Sequence, residues 1–280
     1  MTKYHESVMV KEVVESLHVN NSSLVIDCTL GTGGHTEAMV AAGAYVLGIE
    51  ADPKMLEIAK ERLGNSAKLV LGNFSDLEKI AKENNYTEVD GILFDLGVSN
   101  LHLKEDDRGF SFDNSDQELD MRLNPQMQGV KAMDLLNALD QTQLTSLFEK
   151  VLKHNEAKRI ASRIMVTRPI YKVSELVEAL KDIPHKEHLN PATLPMLALR
   201  IAVNSELINL EEVMPKAFGL LKKGGRLSVI TFHSGEERIV EKYMNNDYLK
   251  GKLKLRLPSS QEIFKNKRSR SAKLYTYVKN

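Results

Sequence analysis

The sequence has no tryptophan and only one cysteine, Cys28. A lone thiol makes no internal disulfide, which suits a reducing compartment. No apolar run reaches the roughly 20 residues of a spanning helix, since the longest, Ala38 to Ile49, is far shorter. No membrane partner is therefore expected. Nothing apolar follows Met1-Thr2-Lys3-Tyr4-His5-Glu6, so a secretory leader is not expected either, and the expected location is cytoplasmic. There is no charge excess: 38 basic residues balance 38 acidic ones, and the net value points to no partner. Hydrophobic residues at 42% and charged residues at 27% exclude a disordered or fibrous chain. The 280 residues allow one large domain or two modest ones, with enough chain to bury a sizeable core.

The first third alternates strand and helix patterns. Val8–Leu17, His35–Ala42 and a segment ending near Leu63 have helical spacing, while Leu24–Cys28, Ala44–Glu50, Lys68–Leu71 and Gly91–Leu96 read as buried strands. Asp52-Pro53 is a helix start, with aspartate as cap and proline at the first helical position. Strands separated by helices predict parallel pairing in a doubly wound sheet. From Leu103 to Leu210 the rhythm changes to helical patterns, at 135–152, 156–166, 174–181 and 196–210. The sheet pattern returns at Arg226–Phe232, after a helix that Gly224-Gly225 is expected to stop. Leu253–Leu257 and Lys273–Val278 read as an antiparallel pair. The reading is an α/β protein with a discontinuous sheet domain (1–103 and 211–280) and a helical insert (104–210).

Asp27-Cys-Thr-Leu-Gly31-Thr-Gly33-Gly34-His35 lies between a strand and a helix, where glycines permit a tight turn and close approach of a ligand. A dinucleotide fingerprint needs a glycine where Thr36 stands, and no Gly-Lys-Ser/Thr follows for a phosphate loop. S-adenosylmethionine is the remaining common occupant of such a turn. Glu50 ends the second strand, 19 residues after Gly31, where a carboxylate accepts ribose hydroxyls and repels a 2′-phosphate. Asn73 and Phe74 end the third strand, where an adenine edge is within reach. Asp95 ends the fourth, at the switch point.

These residues resemble the cytosine-N4 methyltransferases of small-subunit (16S) ribosomal RNA, the MraW/RsmH type. The resemblance covers nearly the whole chain. It rests on His5-Glu-Ser-Val-Met9, the glycine cluster, Asp95-Leu-Gly-Val-Ser99, Arg108-Gly-Phe-Ser-Phe112 and Leu119-Asp-Met-Arg122. It continues through Asn190-Pro-Ala-Thr193, Leu199–Leu207, Gly224–Arg238 and Arg268–Lys273. It implies a Rossmann-like S-adenosylmethionine-dependent methyltransferase sheet with a helical insert that recognises RNA. The implied cofactor contacts are Gly33, Gly34, His35, Glu50, Phe74, Asp95 and, by position, His102; the turn itself adds Gly31. The implied partner is the small ribosomal subunit, and a homodimer is an allowed assembly. The chain departs from the family in having Glu50 for aspartate, His102 for glutamine, Asn190 for histidine, Leu194 for arginine, and Gly235 and Glu237 in the fifth-strand motif. Its segment from Tyr243 to Lys265 is also short.

Cytosine N4 carries a lone pair delocalised into the ring, so catalysis asks for alignment and for an acceptor of the developing positive charge. Asp95 is the candidate catalytic acceptor, with cofactor binding alone as the alternative. Phe110 or Phe112 offers a stacking face, with loop packing as the alternative. His5, His233 and Arg238 are candidate substrate-positioning groups. His185 and His188 lack the accompanying ligands of a metal site, and no metal is expected. Lys158, Arg159, Arg163 and Arg168, with a tail of Lys265, Lys267, Arg268, Arg270, Lys273 and Lys279, suggest phosphate binding. Three other readings remain open: a methyltransferase of DNA or a small molecule, a non-catalytic assembly factor with the same fold, and an NAD-dependent oxidoreductase.

Overall fold

A computed structural model describes residues 7–99, 101–102, 107–112, 116–184, 190–244 and 252–280. It divides into two compact units, Met1–Val98 with Leu207–Asn280, and Ser99–Glu206. Among the described residues no helix is long and apolar enough to cross a membrane.

The first unit holds β1 (Leu24–Asp27), β2 (Tyr45–Glu50), β3 (Lys68–Leu71), β4 (Val89–Asp95), β5 (Leu221–Thr231), β6 (Lys252–Arg256) and β7 (Lys273–Val278). Their order across the sheet is β3-β2-β1-β4-β5-β7-β6. Strands β1 to β5 pair in parallel, and β7 runs antiparallel to both β5 and β6. This is a Rossmann-like α/β sheet. The antiparallel β6–β7 pair matches the expectation, whereas the insertion of β7 between β5 and β6 has no signal in local pattern.

Both sheet faces are covered, which is why the central strands are apolar throughout. Val25, Leu93 and Ile230 join Val13 and Leu17 of α1 (Val10–Leu17) and Met39 of α2 (Gly34–Ala41). Ile26, Ile92, Phe94 and Val229 point to the other face. There they meet Leu77 and Ile80 of α4 (Leu77–Glu83) and Val213, Met214 and Phe218 of a long later helix. Between these, α3 (Pro53–Leu63) starts as expected: Asp52 accepts the N–H of Lys54 at 2.8 Å, with Pro53 in the first turn.

The second unit is helical: α5 (Ala132–Ala138), α6 (Gln141–Phe148), α7 (His154–Thr167), α8 (Val173–Leu180) and α9 (Thr193–Val203). Two expected helices are each broken in two. The 135–152 segment stops at Ala138 because Asp140 starts a new helix. Its carboxylate accepts from Gln143 N at 2.8 Å, and Gln143 Oε1 accepts from Asp140 N at 3.0 Å. The 196–210 segment breaks at Asn204-Ser205, where Ser205 has φ 52°. Asn204 is drawn into side-chain bonding, donating to Met121 O at 2.8 Å and accepting from Leu123 N at 3.0 Å. After this break α10 (Glu206–Leu220) buries its apolar side in the sheet core, so the sheet unit resumes at Leu207.

Gly224-Gly225 does not stop a helix. The helix ends at Leu220, and β5 begins at Leu221 opposite Val89, then shifts register so that Arg226 lies opposite Gly91. Gly224 sits in this bulge at φ 80°. A Cβ on Gly225 would come within 2.9 Å of Lys222 O, so the second glycine is required by close backbone approach. The chain continues through α11 (Ser234–Met244) and α12 (Ser260–Lys265).

Candidate cofactor and catalytic site

The turn after β1 is fixed by an aspartate and two threonines. Buried Asp27 accepts the N–H of Thr29 at 3.2 Å and the hydroxyl of Thr36 at 2.7 Å. The Thr29 hydroxyl in turn accepts the N–H of Asp95 at 2.6 Å, tying the end of β4 to the turn after β1. Neither threonine was singled out by sequence, although both stand in the glycine cluster or next to it. Gly33 adopts φ 83°, and a Cβ there would lie 2.8 Å from Leu63 Cδ1, so backbone angle and packing both require glycine. Gly34 opens α2, whose first N–H groups have no partner within the helix.

Glu50 is buried at the end of β2. One carboxylate oxygen accepts the N–H of Gly31 at 2.7 Å and the other the N–H of Asp52 at 2.8 Å. Burial pushes its pKa up to about 7, against the opposing pull of those two N–H groups. Each oxygen keeps a lone pair for a further donor. Half-buried Phe74 packs edge-on against Phe94 at 5.6 Å between centroids. Asn73 caps the short turn that Phe74 opens, accepting from Ser75 N at 2.9 Å.

At the switch point His35 and Asp95 meet, with Nε2 and Oδ2 3.2 Å apart. By sequence His35 is a cofactor contact paired with no carboxylate. The signal was topological: the first turn of α2 and the end of β4 share one sheet edge. Burial by itself lowers the pKa of His35, but the hydrogen bond to Asp95 and the charges of Asp95 and Asp27 raise it overall. Asp27 itself is raised by burial, with His35 acting against that rise. Among the described residues two atoms of the pair are buried without a partner, His35 Nδ1 and Asp95 Oδ1. An unsatisfied buried acceptor costs about 1–3 kcal/mol unless a ligand supplies the donor. Among the described residues the unpartnered Asp95 acceptor, the spare Glu50 lone pairs, the first N–H groups of α2 and the open space at Gly31 together fit an amino-acid-bearing nucleoside such as S-adenosylmethionine.

The remaining candidates are dispersed. His102 and Phe110 belong to the second unit. His102 is buried with Nδ1 accepting from Ser99 N at 3.1 Å, and its ring lies 5.2 Å from that of Phe110. Phe110 is buried between His102 and the guanidinium of Arg108, so packing rather than an open stacking face describes it. Phe112 is half-buried. His233 caps α11. Its Nδ1 accepts from Gly235 N at 3.2 Å and Glu236 N at 3.4 Å, while Glu236 reaches back to Phe232 N at 2.7 Å. Nδ1 as acceptor places the proton on Nε2, which is 3.1 Å from Glu236 Oε1 but makes no hydrogen bond among the described residues. Arg238 is exposed, its Nε donating to Ser234 O at 3.2 Å. His5, His185 and His188 lie outside the described residues.

The basic groups also separate. Lys158, Arg159 and Arg163 are exposed along α7, but Arg168 ends that helix and donates to Leu139 O. In the tail Lys265, Lys267 and Arg270 are exposed. Lys273 pairs with Glu237 at 2.8 Å, and Lys279 binds the carbonyls of Phe218 and Leu221 at 2.9 and 2.6 Å, so both are structural.

A family model described as the MraW methylase family matches residues 2–280. A protein of Dehalococcoides mccartyi named ribosomal RNA small subunit methyltransferase H is 40% identical over 304 residues, covering 98% of this chain and 86% of its own. One of the same name from Thermosipho africanus is 39% identical over 280 residues, covering 96% of each. The match runs through both units and through every motif that carried the resemblance, and the chain belongs to the MraW methylase family.

Proposed function

We propose that the protein transfers a methyl group to the exocyclic N4 of a cytidine in small-subunit (16S) ribosomal RNA, in the decoding region. The observation that carries this reading is the alignment over nearly the whole chain with relatives named for small-subunit ribosomal RNA methylation. S-adenosylmethionine is the methyl donor, and when bound it supplies an electrophilic sulfonium methyl. Gly31, Gly33, Gly34 and the first turn of α2 hold its amino-acid end, Glu50 accepts from its ribose, and Phe74 borders its base. His102 is a further contact by family position.

Asp95 is the catalytic acceptor. As N4 bonds to carbon it gains positive charge and must lose a proton. Asp95 Oδ1, buried and without a partner among the described residues, is the group that accepts an N4 hydrogen. His35 holds the other oxygen. The helical unit, with the exposed cations of α7, recognises RNA, and His5, His233 and Arg238 lie in motifs that position it. The enzyme works in the cytoplasm, and sedimentation distinguishes a monomer from a homodimer.

The test is methyl transfer from labelled S-adenosylmethionine to small subunits lacking the modification, read by mass spectrometry of nucleosides. N4-methylcytidine is expected, with a loss of about 100-fold or more in Asp95→Asn. Methyl on another atom or another RNA would overturn the substrate assignment. Retained turnover in Asp95→Asn would remove the catalytic role and leave the cofactor role.

A further inference from the structure

The Gly-Gly-Arg motif of β5 is not accounted for by the crevice. It lies at the opposite, amino-terminal edge of the sheet. There the bulge at 222–225, the end of α1 and the start of β4 line an open cavity of about 440 Å³. Asp90 lines this cavity and Asp95 the crevice. Five residues of extended strand separate them, about 17 Å at the usual rise. The two sites are therefore distinct.

The lining is cationic. His18, Lys222, Lys223 and Arg226 face a single carboxylate, Asp90. Asp90 is already committed, accepting the N–H of Leu24 at 2.8 Å and pairing with Lys222 at 3.2 Å. That leaves Lys223 and Arg226 without a carboxylate partner among the described residues. Among the described residues the half-buried Arg226 side chain makes one hydrogen bond, from Nη1 to Ser16 O at 3.3 Å, so most of its guanidinium donors have no partner there. A half-buried guanidinium with no counter-ion is a costly arrangement that a bound oxyanion relieves. Burial holds the Arg226 pKa below its ordinary value. The His18 pKa is lowered first by burial and then by the charges of Arg226, Lys254 and Arg256, of which Arg256 is paired with Glu15 at 2.9 Å.

From this geometry we infer that the cavity between the β5 bulge and the end of α1 binds a phosphate group, with the Arg226 guanidinium and Lys223 as its principal donors. A guanidinium fork matches two phosphate oxygens, and the neighbouring ammonium adds a point charge. The phosphate comes either from an RNA backbone reaching this edge or from a free phosphate-bearing metabolite.

The experiment titrates the full-length protein with inorganic phosphate at low salt by calorimetry, and in parallel with a short single-stranded oligoribonucleotide. Arg226→Gln, Lys223→Gln and the remote control Lys79→Gln are compared with the parent, with thermal melting of each sample as the check on folding. Phosphate affinity is expected to fall at least tenfold in Arg226→Gln, several-fold in Lys223→Gln and not at all in Lys79→Gln. Lys223 is exposed in the bulge, so its variant keeps the test decisive if Arg226→Gln does not fold. If RNA affinity falls in step and its salt dependence weakens by about one counterion per contact, the source is RNA backbone. If RNA affinity is unchanged while phosphate affinity falls, the source is a free metabolite. Equal phosphate titrations for the parent and both cavity variants would overturn the site.

Discussion

On the proposed reading Glu50 is a buried carboxylate that couples cofactor binding to pH. With its pKa at about 7, it is largely protonated at pH 6 and ionised at pH 8. Ribose hydroxyls donate to the ionised form, so S-adenosylmethionine affinity should rise by up to about tenfold across that interval. In Glu50→Gln, calorimetry should find weaker binding with no such slope; a parallel slope in the variant would reject the assignment. Stability has the opposite sign. The folded pKa lies above the unfolded value of 4.5, so Glu50's contribution is fully present below about pH 4.5 and is lost as pH rises through 7. The difference is about 3 kcal/mol at most. Urea melts at pH 6 and 8 should show Glu50→Gln gaining relative to the parent at the higher pH. His35 carries a second prediction. His35→Ala leaves Asp27 and Asp95 without the imidazole between them and should cost about 3 kcal/mol. His35→Gln, which keeps a donor, should recover part of that stability, while kcat stays reduced because Asp95 loses the charge beside it. Full recovery of kcat would make His35 a packing residue only.

Among the elements, helix starts are the features with the clearest local cause. Asp52 is buried and caps α3 with Pro53 beside it, so Asp52→Ala should cost about 1 kcal/mol by chemical denaturation. Part of the loss should reappear as weaker cofactor binding, because Glu50 accepts the N–H of residue 52. An unchanged denaturation midpoint would show that the cap is dispensable. The Asp140–Gln143 box was equally local, yet the apolar spacing of 135–152 concealed it, since periodicity continues across a break when both helices face the same core. At Ser205 the chain takes φ 52° with no glycine to announce it. Asn204 offsets that turn with side-chain hydrogen bonds to Met121, Leu123 and Gln128, all far back in the chain, which no window of local sequence contains.

At the scale of the molecule, the proposed function gives the helical unit and the sheet unit separable tasks. Lys158→Gln with Arg163→Gln, both exposed on α7, should weaken RNA binding several-fold and lower its salt dependence by about two. S-adenosylmethionine affinity should stay at the parent value, and a loss of cofactor binding would contradict the division of labour. The sequence by itself determined the alternation of apolar strands with helices, the glycine turn after β1, the carboxylate at the end of β2 and the Asp52-Pro53 cap. Each of these depends on residues within a few positions of one another, through steric freedom, capping or side-chain alternation. Only the tertiary structure decided the rest. It brought His35 to Asp95, 60 residues away, and made His233 a cap rather than an open side chain. It placed β7 between β5 and β6, and it set Arg226 of β5 beside Ser16 of α1, 210 residues apart. Strand order and long-range pairing bring these groups together, and those are properties of how the sheet closes on its helices, not of any local pattern.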